Sequence, residues 1–148
     1  MERVLGKYAP YLYALLRIIA GLLFACHGAQ KLFGVLGGFG GQAGATAPLF
    51  SLMGLAGIIE FVGGLCIAFG FLTSYAAFIA GGEMAVAYFM GHAPRNPWPI
   101  QNEGELTVLY CFLFLYIAAK GAGRWSVKGT RAARQLTTME KAERNVSP

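Results

Sequence analysis

The sequence predicts an all-α fold: an integral membrane four-helix bundle, antiparallel, with both termini cytoplasmic. Three observations predict it. Of 148 residues 56% are hydrophobic and 13% charged, with a mean hydropathy of +0.53, which leaves too little polar surface for a soluble domain. The apolar residues gather into four stretches. A bilayer span takes roughly 20 residues, so such spans leave only small tails. Finally, nine of the twelve lysines and arginines lie in the two tails, and cytoplasmic segments carry that excess.

The first span runs over about residues 11–33. It follows Arg3, Lys7 and Pro10, and Tyr8, Tyr11 and Tyr13 mark the water boundary, where aromatic rings with a polar tip are favoured. The next loop has six glycines between Gly34 and Gly44 and no charge, so it is expected to be flexible and non-helical. The second span covers about 49–71. A tight turn at Thr73-Ser74 leads into the third, at about 74–92. The next connection sets Pro94, Pro97 and Pro99 around Trp98, which prevents helix and puts an aromatic at headgroup depth. The fourth span, about 103–119, stops at Gly121-Ala122-Gly123. Residues 1–128 thus form the membrane domain and 129–148 a basic cytoplasmic tail.

Several function classes are excluded. Net charge is +5 and the pI about 9.3, but seven basic residues follow the last span, which makes a topogenic, lipid-facing tail and no nucleic-acid footprint. Cys26, Cys66 and Cys111 lie far apart with no CxxC and read as small apolar packing residues. No metal site is predicted. The Leu23-Phe24-Ala25-Cys26 run imitates a lipoprotein cleavage site, but Phe24 stands where a small residue belongs, so the first helix is expected to be retained. The Gly38–Ala43 segment fits a degenerate dinucleotide pattern without the strand such a site requires. With no aspartate in the chain, no hydrolase-like acid–histidine–serine set stands out.

Polar residues inside the spans carry the chemistry, since a charge at the bilayer centre costs roughly 2.5–3.5 kcal/mol. At 100° per residue Arg17, Phe24, Gly28 and Lys31 form one stripe with His27 at its border. Glu60 is surrounded by Ala56, Gly57, Gly63 and Gly64, and Glu83 shares its face with Ala76, Ala80, Ala87 and Met90. Small neighbours let another helix approach a buried acid. The expected mid-membrane cluster is Arg17 with Glu60 and Glu83, one glutamate holding a proton. An outer cluster of His27, Lys31, Glu103 and Glu105 is the candidate ligand site, the two acids suiting the start of the fourth helix. A quinone headgroup fits there, its carbonyls accepting from His or Lys and its ring packing on Phe or Trp. The plainer alternative is that these charges only hold the helices in register, with His27 a packing residue and His92 a helix cap.

Arg17, Gly21, Phe24, His27, Gly28, Lys31 and Leu32, then Glu60 with Gly63, Gly64 and Gly70, Met84 and Ala87, Glu105, and the closing Gly121-Ala122-Gly123-Arg124-Trp125-Ser126 resemble the DoxX family over about residues 12–128. The resemblance implies a small multi-pass protein of the cytoplasmic (inner) membrane of bacteria or archaea, related to the small membrane subunit of thiosulfate:quinone oxidoreductase. Two departures matter. Lys128 stands where relatives often have an acid, and the cysteine pairs of thiol-handling relatives are missing. The expected function is therefore an accessory subunit of a membrane redox complex, with quinone as cofactor and a redox enzyme subunit as partner beside the lipid bilayer. A homo-oligomer is compatible with this. The alternatives are a small transporter or proton pathway using Glu60 and Glu83, and a structural or assembly protein. No residue here carries electrons by itself, so the catalytic residues stay unassigned.

Overall fold

A computed structural model describes residues 1–127, and these are helical with no strand among them; the basic tail of 129–148 lies outside the described residues. Helix α1 (Ala9–Phe33) is preceded by short helical turns at Glu2–Leu5 and Gly6–Tyr8. Helix α2 (Leu52–Phe69) contains a π-helical turn, Ile59–Gly63. Helix α3 (Thr73–Ala87) continues into a second π turn, Tyr88–His92, and α4 is Glu105–Lys120.

Local chemistry explains the boundaries. Pro10 sits in the first turn of α1, where its missing N–H is no loss, and Gly34 ends the helix at φ 67°. Helix α2 starts at Leu52, later than the apolar stretch suggested. The Ser51 side chain accepts from Gly54 N at 3.1 Å and caps it there. Its end falls at Gly70, φ 74°, and the reversal into α3 occupies Gly70 to Leu72, just before the Thr73-Ser74 pair. Glu103 does not open α4. It takes a left-handed φ of 59° in the preceding turn, and the helix begins at Glu105. The glycine-rich loop is more ordered than expected: Phe39 N donates to Ala45 O at 2.8 Å, and Ala47 N returns to Lys31 O at 2.8 Å.

Glycines set how α1 meets α2. A Cβ on Gly21 would lie 2.6 Å from Ala68 N and Gly64 O, and one on Gly64 would lie 2.6 Å from Ala25 N and Gly21 O. Further along, Gly28 faces the backbone of Gly57 and Phe61 in the same way. The backbones touch at both places, which small residues alone permit. Helix α3 packs chiefly along α4. Phe24, Phe114, Ile67 and Ile117 fill the centre, and the Phe24 and Phe114 rings meet edge-on with centroids 4.7 Å apart.

Two helical stretches, Glu2–Phe33 and Leu52–Phe69, are long and apolar enough to cross a membrane, with only 39% and 33% of their apolar windows buried. A soluble protein buries such a helix. Here Leu12, Ile19 and Leu23 on α1 and Leu55 and Val62 on α2 point outward, a surface suited to contact with lipid.

Candidate functional site

Arg17 and Lys31 stand about 21 Å apart along α1, and α2 runs antiparallel beside them. The glycine contacts fix the register, so Arg17 falls beside the end of α2 and Lys31 beside its π turn.

Arg17 is fully buried, but the expected cluster with Glu60 and Glu83 does not form around it. Its Nη1 donates to Ile67 O and to Ala68 O (2.6 Å), and its Nη2 to Trp125 O (2.8 Å) and Arg124 O (3.2 Å). The last carbonyls of a helix have no partner within it, and its negative dipole end favours a cation. Arg17 supplies both needs for α2 and at the same time pins the segment after α4. Tyr13 Oη donates to Gly121 O at 2.5 Å, and Arg124 donates to Tyr11 Oη at 2.5 Å with Trp125 packed on the Tyr11 ring. Gly70 lets the Ser126 backbone approach, since a Cβ there would collide with it. The closing Gly-Ala-Gly-Arg-Trp-Ser run is thus a strap held by α1.

The acids pair differently. Glu60, 3% exposed at its side chain, forms an ion pair with Lys31 through Oε1, while its Oε2 is buried without a hydrogen-bond partner among the described residues. Glu83 Oε2 is likewise buried and has no hydrogen-bond partner among the described residues. Lys31, Glu60 and Glu83 all line a cavity of about 750 Å³, within the range that holds small molecules. Phe24 and Tyr110 contribute aromatic walls. Leu52, Leu55, Ile79, Val86, Met90 and Leu106 also line it while being exposed on the outer surface, so the mouth is apolar.

Of the outer group, His27 joins Lys31 at the cavity, but Glu103 and Glu105 are exposed and do not line it. Three polar cavity residues were not singled out as site residues in the sequence: His92, Thr107 and Tyr110. His92 Nδ1 lies 2.9 Å from Asn102 O and its Nε2 3.4 Å from Thr107 Oγ1, so the ring donates to the carbonyl and accepts from the hydroxyl. A signal existed for the other two, because Thr107, Tyr110, Phe114 and Ile117 recur at helical spacing on one face of α4.

Both π turns bear on this site, one holding Glu60 and the other His92. Such turns widen a helix locally and are frequent where a side chain is re-aimed for function.

No solved structure matches the chain. It is 42% identical over 122 residues to an uncharacterized protein of Haemophilus influenzae, an alignment covering 80% of this chain and 90% of that relative. The DoxX family model matches residues 12–93, which takes in Arg17, His27, Lys31, Glu60, Glu83 and His92. By that match, over more than half of its length, the chain belongs to the DoxX family.

Proposed function

We propose that this protein is a multi-pass membrane subunit whose cavity holds a quinone headgroup, and that it serves as an accessory subunit to a redox enzyme. The observation that carries this reading is the cavity itself. It joins the Lys31–Glu60 pair and Glu83 to aromatic walls and an apolar mouth, which suits a ring with polar oxygens and a lipid tail. Lys31 keeps N–H donors beyond the one given to Glu60, and these suit a quinone carbonyl. The chain offers no electron carrier of its own, so electrons pass between the ligand and a partner.

The membrane reading is four spans with both tails cytoplasmic in the inner membrane of a prokaryote. Its supports are the outward apolar faces and the basic tails. Fluorescent-protein fusions at either terminus should then fluoresce, and fusions in the 94–102 connection should not.

Organic extracts of the mildly solubilised protein should contain quinone, lost in Lys31→Ala and His27→Ala variants that still fold. Extracts without quinone, together with no redox enzyme in a mild-detergent pull-down, would sink this reading. A second reading, a proton pathway, is favoured by the unpartnered carboxylate oxygens of Glu60 and Glu83. It requires pH-driven flux in liposomes that Glu60→Gln abolishes.

A further inference from the structure

The cavity has one open end. Its lining begins at Phe24 on α1 and Ile79 on α3 and stops at Glu60 on α2 and Tyr110 on α4. Every lining residue therefore lies toward the glycine-rich loop and the 94–102 connection, and none toward the tails. Exposed lining residues stand at that end: Leu52 opens α2, Met90 and Gly91 belong to the π turn that ends α3, and Leu106 lies in the first turn of α4. His92, partly exposed, brings a polar ring to the same opening beside Thr107. Leu55, Ile79 and Val86 leave a sideways opening as well, but lipid carries no protons.

The opposite end is shut. Beyond Phe24 the four helices meet in a layer of Ala20, Ile67, Ala77, Ala80, Phe114 and Ile117, each 5% exposed or less. These side chains offer no hydrogen bonds, and an apolar interior packed this closely leaves water neither room nor partners. Arg17 and Tyr13 follow below, hydrogen-bonded to backbone carbonyls, and neither lines the cavity. We infer that the cavity meets water on the loop face alone, so that Lys31, Glu60 and Glu83 exchange protons with that side and are insulated from the face that carries both tails. The inference rests on the membrane reading for its two faces, and it holds whichever charge state each acid takes. It also separates the two functions proposed above. A proton pathway needs an exit through the apolar layer, whereas a quinone site needs none. For a bound quinone, each proton that accompanies an electron from the redox partner is drawn from the loop face, and each one released on reoxidation returns there. With the tails cytoplasmic, that face is the outer one.

The test places single cysteines in the full chain carrying Cys26→Ala, Cys66→Ala and Cys111→Ala, and exposes intact cells and inside-out vesicles to a charged, membrane-impermeant methanethiosulfonate. Gln42→Cys and Ser74→Cys, both at exposed positions, report the loop face and the tail face. Ala87→Cys, in the cavity wall, is expected to react from the side that labels Gln42→Cys and to stay unmodified from the side that labels Ser74→Cys. Ala77→Cys, in the buried layer, should react from neither. Thr107→Cys is the second cavity variant, and thermal melting confirms that each is folded. Reaction of either cavity cysteine from the tail face overturns the inference, as does reaction from neither face. Should both cavity variants misfold, wild-type proteoliposomes decide: proton flux no greater than in empty vesicles supports the closed end, and a larger flux overturns it. Quinone extraction is scored separately, so its failure sinks the ligand and leaves the one-sided access standing.

Discussion

Lys31 of α1 and Glu60 of α2 form an ion pair at the cavity wall, the lysine 21% exposed and the glutamate 3%. The pair is asymmetric in a way that matters energetically. Lys31 is partly exposed, but Glu60 is buried and has Lys31 as its one hydrogen-bond partner among the described residues.

Removing Lys31 should therefore be worse than removing the pair. Lys31→Met is expected to destabilise by about 3–5 kcal/mol, because it strands a buried carboxylate. The double variant Lys31→Met/Glu60→Gln should regain most of that loss. Thermal unfolding in detergent measures both, and additive losses in the double variant would show that the two residues are not coupled.

Arg17 should not tolerate lysine. Its guanidinium spans four carbonyl oxygens on two chain segments, and a lysine offers a single point charge without the planar fork. Both Arg17→Lys and Arg17→Gln should free the strap at Arg124 and Trp125. Protease cleavage near Trp125 should then appear before the helices themselves are cut. Glu83→Gln should leave the strap protected, since that acid takes no part in it.

The α1–α2 contact predicts a contrast between glycines. Gly21→Ala and Gly64→Ala place a Cβ against backbone and should cost about 1–3 kcal/mol each, as overpacking does. Gly82→Ala has open space around it and should be neutral or stabilising by about 0.5–1 kcal/mol, because alanine favours helix. Similar melting temperatures for all three variants would mean that the helices are not in backbone contact.

Glu103 and Glu105 should be silent in ligand binding. Both are exposed and lie outside the cavity lining. The double variant Glu103→Gln/Glu105→Gln should keep its bound quinone, whereas His27→Ala should lose it. Replacing Glu103 with glycine should also stabilise the turn by about 0.5–1 kcal/mol, since φ is 59° there.

The helical class was readable because hydropathy alone reports it. The inward stripe of α1 was readable too, since Arg17, Phe24 and Gly28 recur at helical spacing and are all buried. The partner of each charge was not. Partnership depends on the axial register between α1 and α2, which is set by backbone contact at Gly21, Gly28 and Gly64, and periodicity within one helix says nothing about its offset from another. Depth counting placed Glu60 and Glu83 with Arg17. The actual offset gave Glu60 to Lys31 and left Arg17 to cap a helix end. The π turns escaped notice for a related reason: their glycines, Gly63 and Gly91, read equally well as small packing residues of a regular α-helix.

The same register divides the molecule mechanically. Helices α1 and α2 are locked backbone to backbone and α3 rests mainly on α4, while the two pairs meet along α2 and α3, at the Phe24–Phe114 contact and through the strap that Arg17 holds. Glu60 belongs to one pair and Glu83 to the other. The space between the two acids therefore lies on the boundary between the two pairs. A ligand seated between those carboxylates would touch both pairs at once.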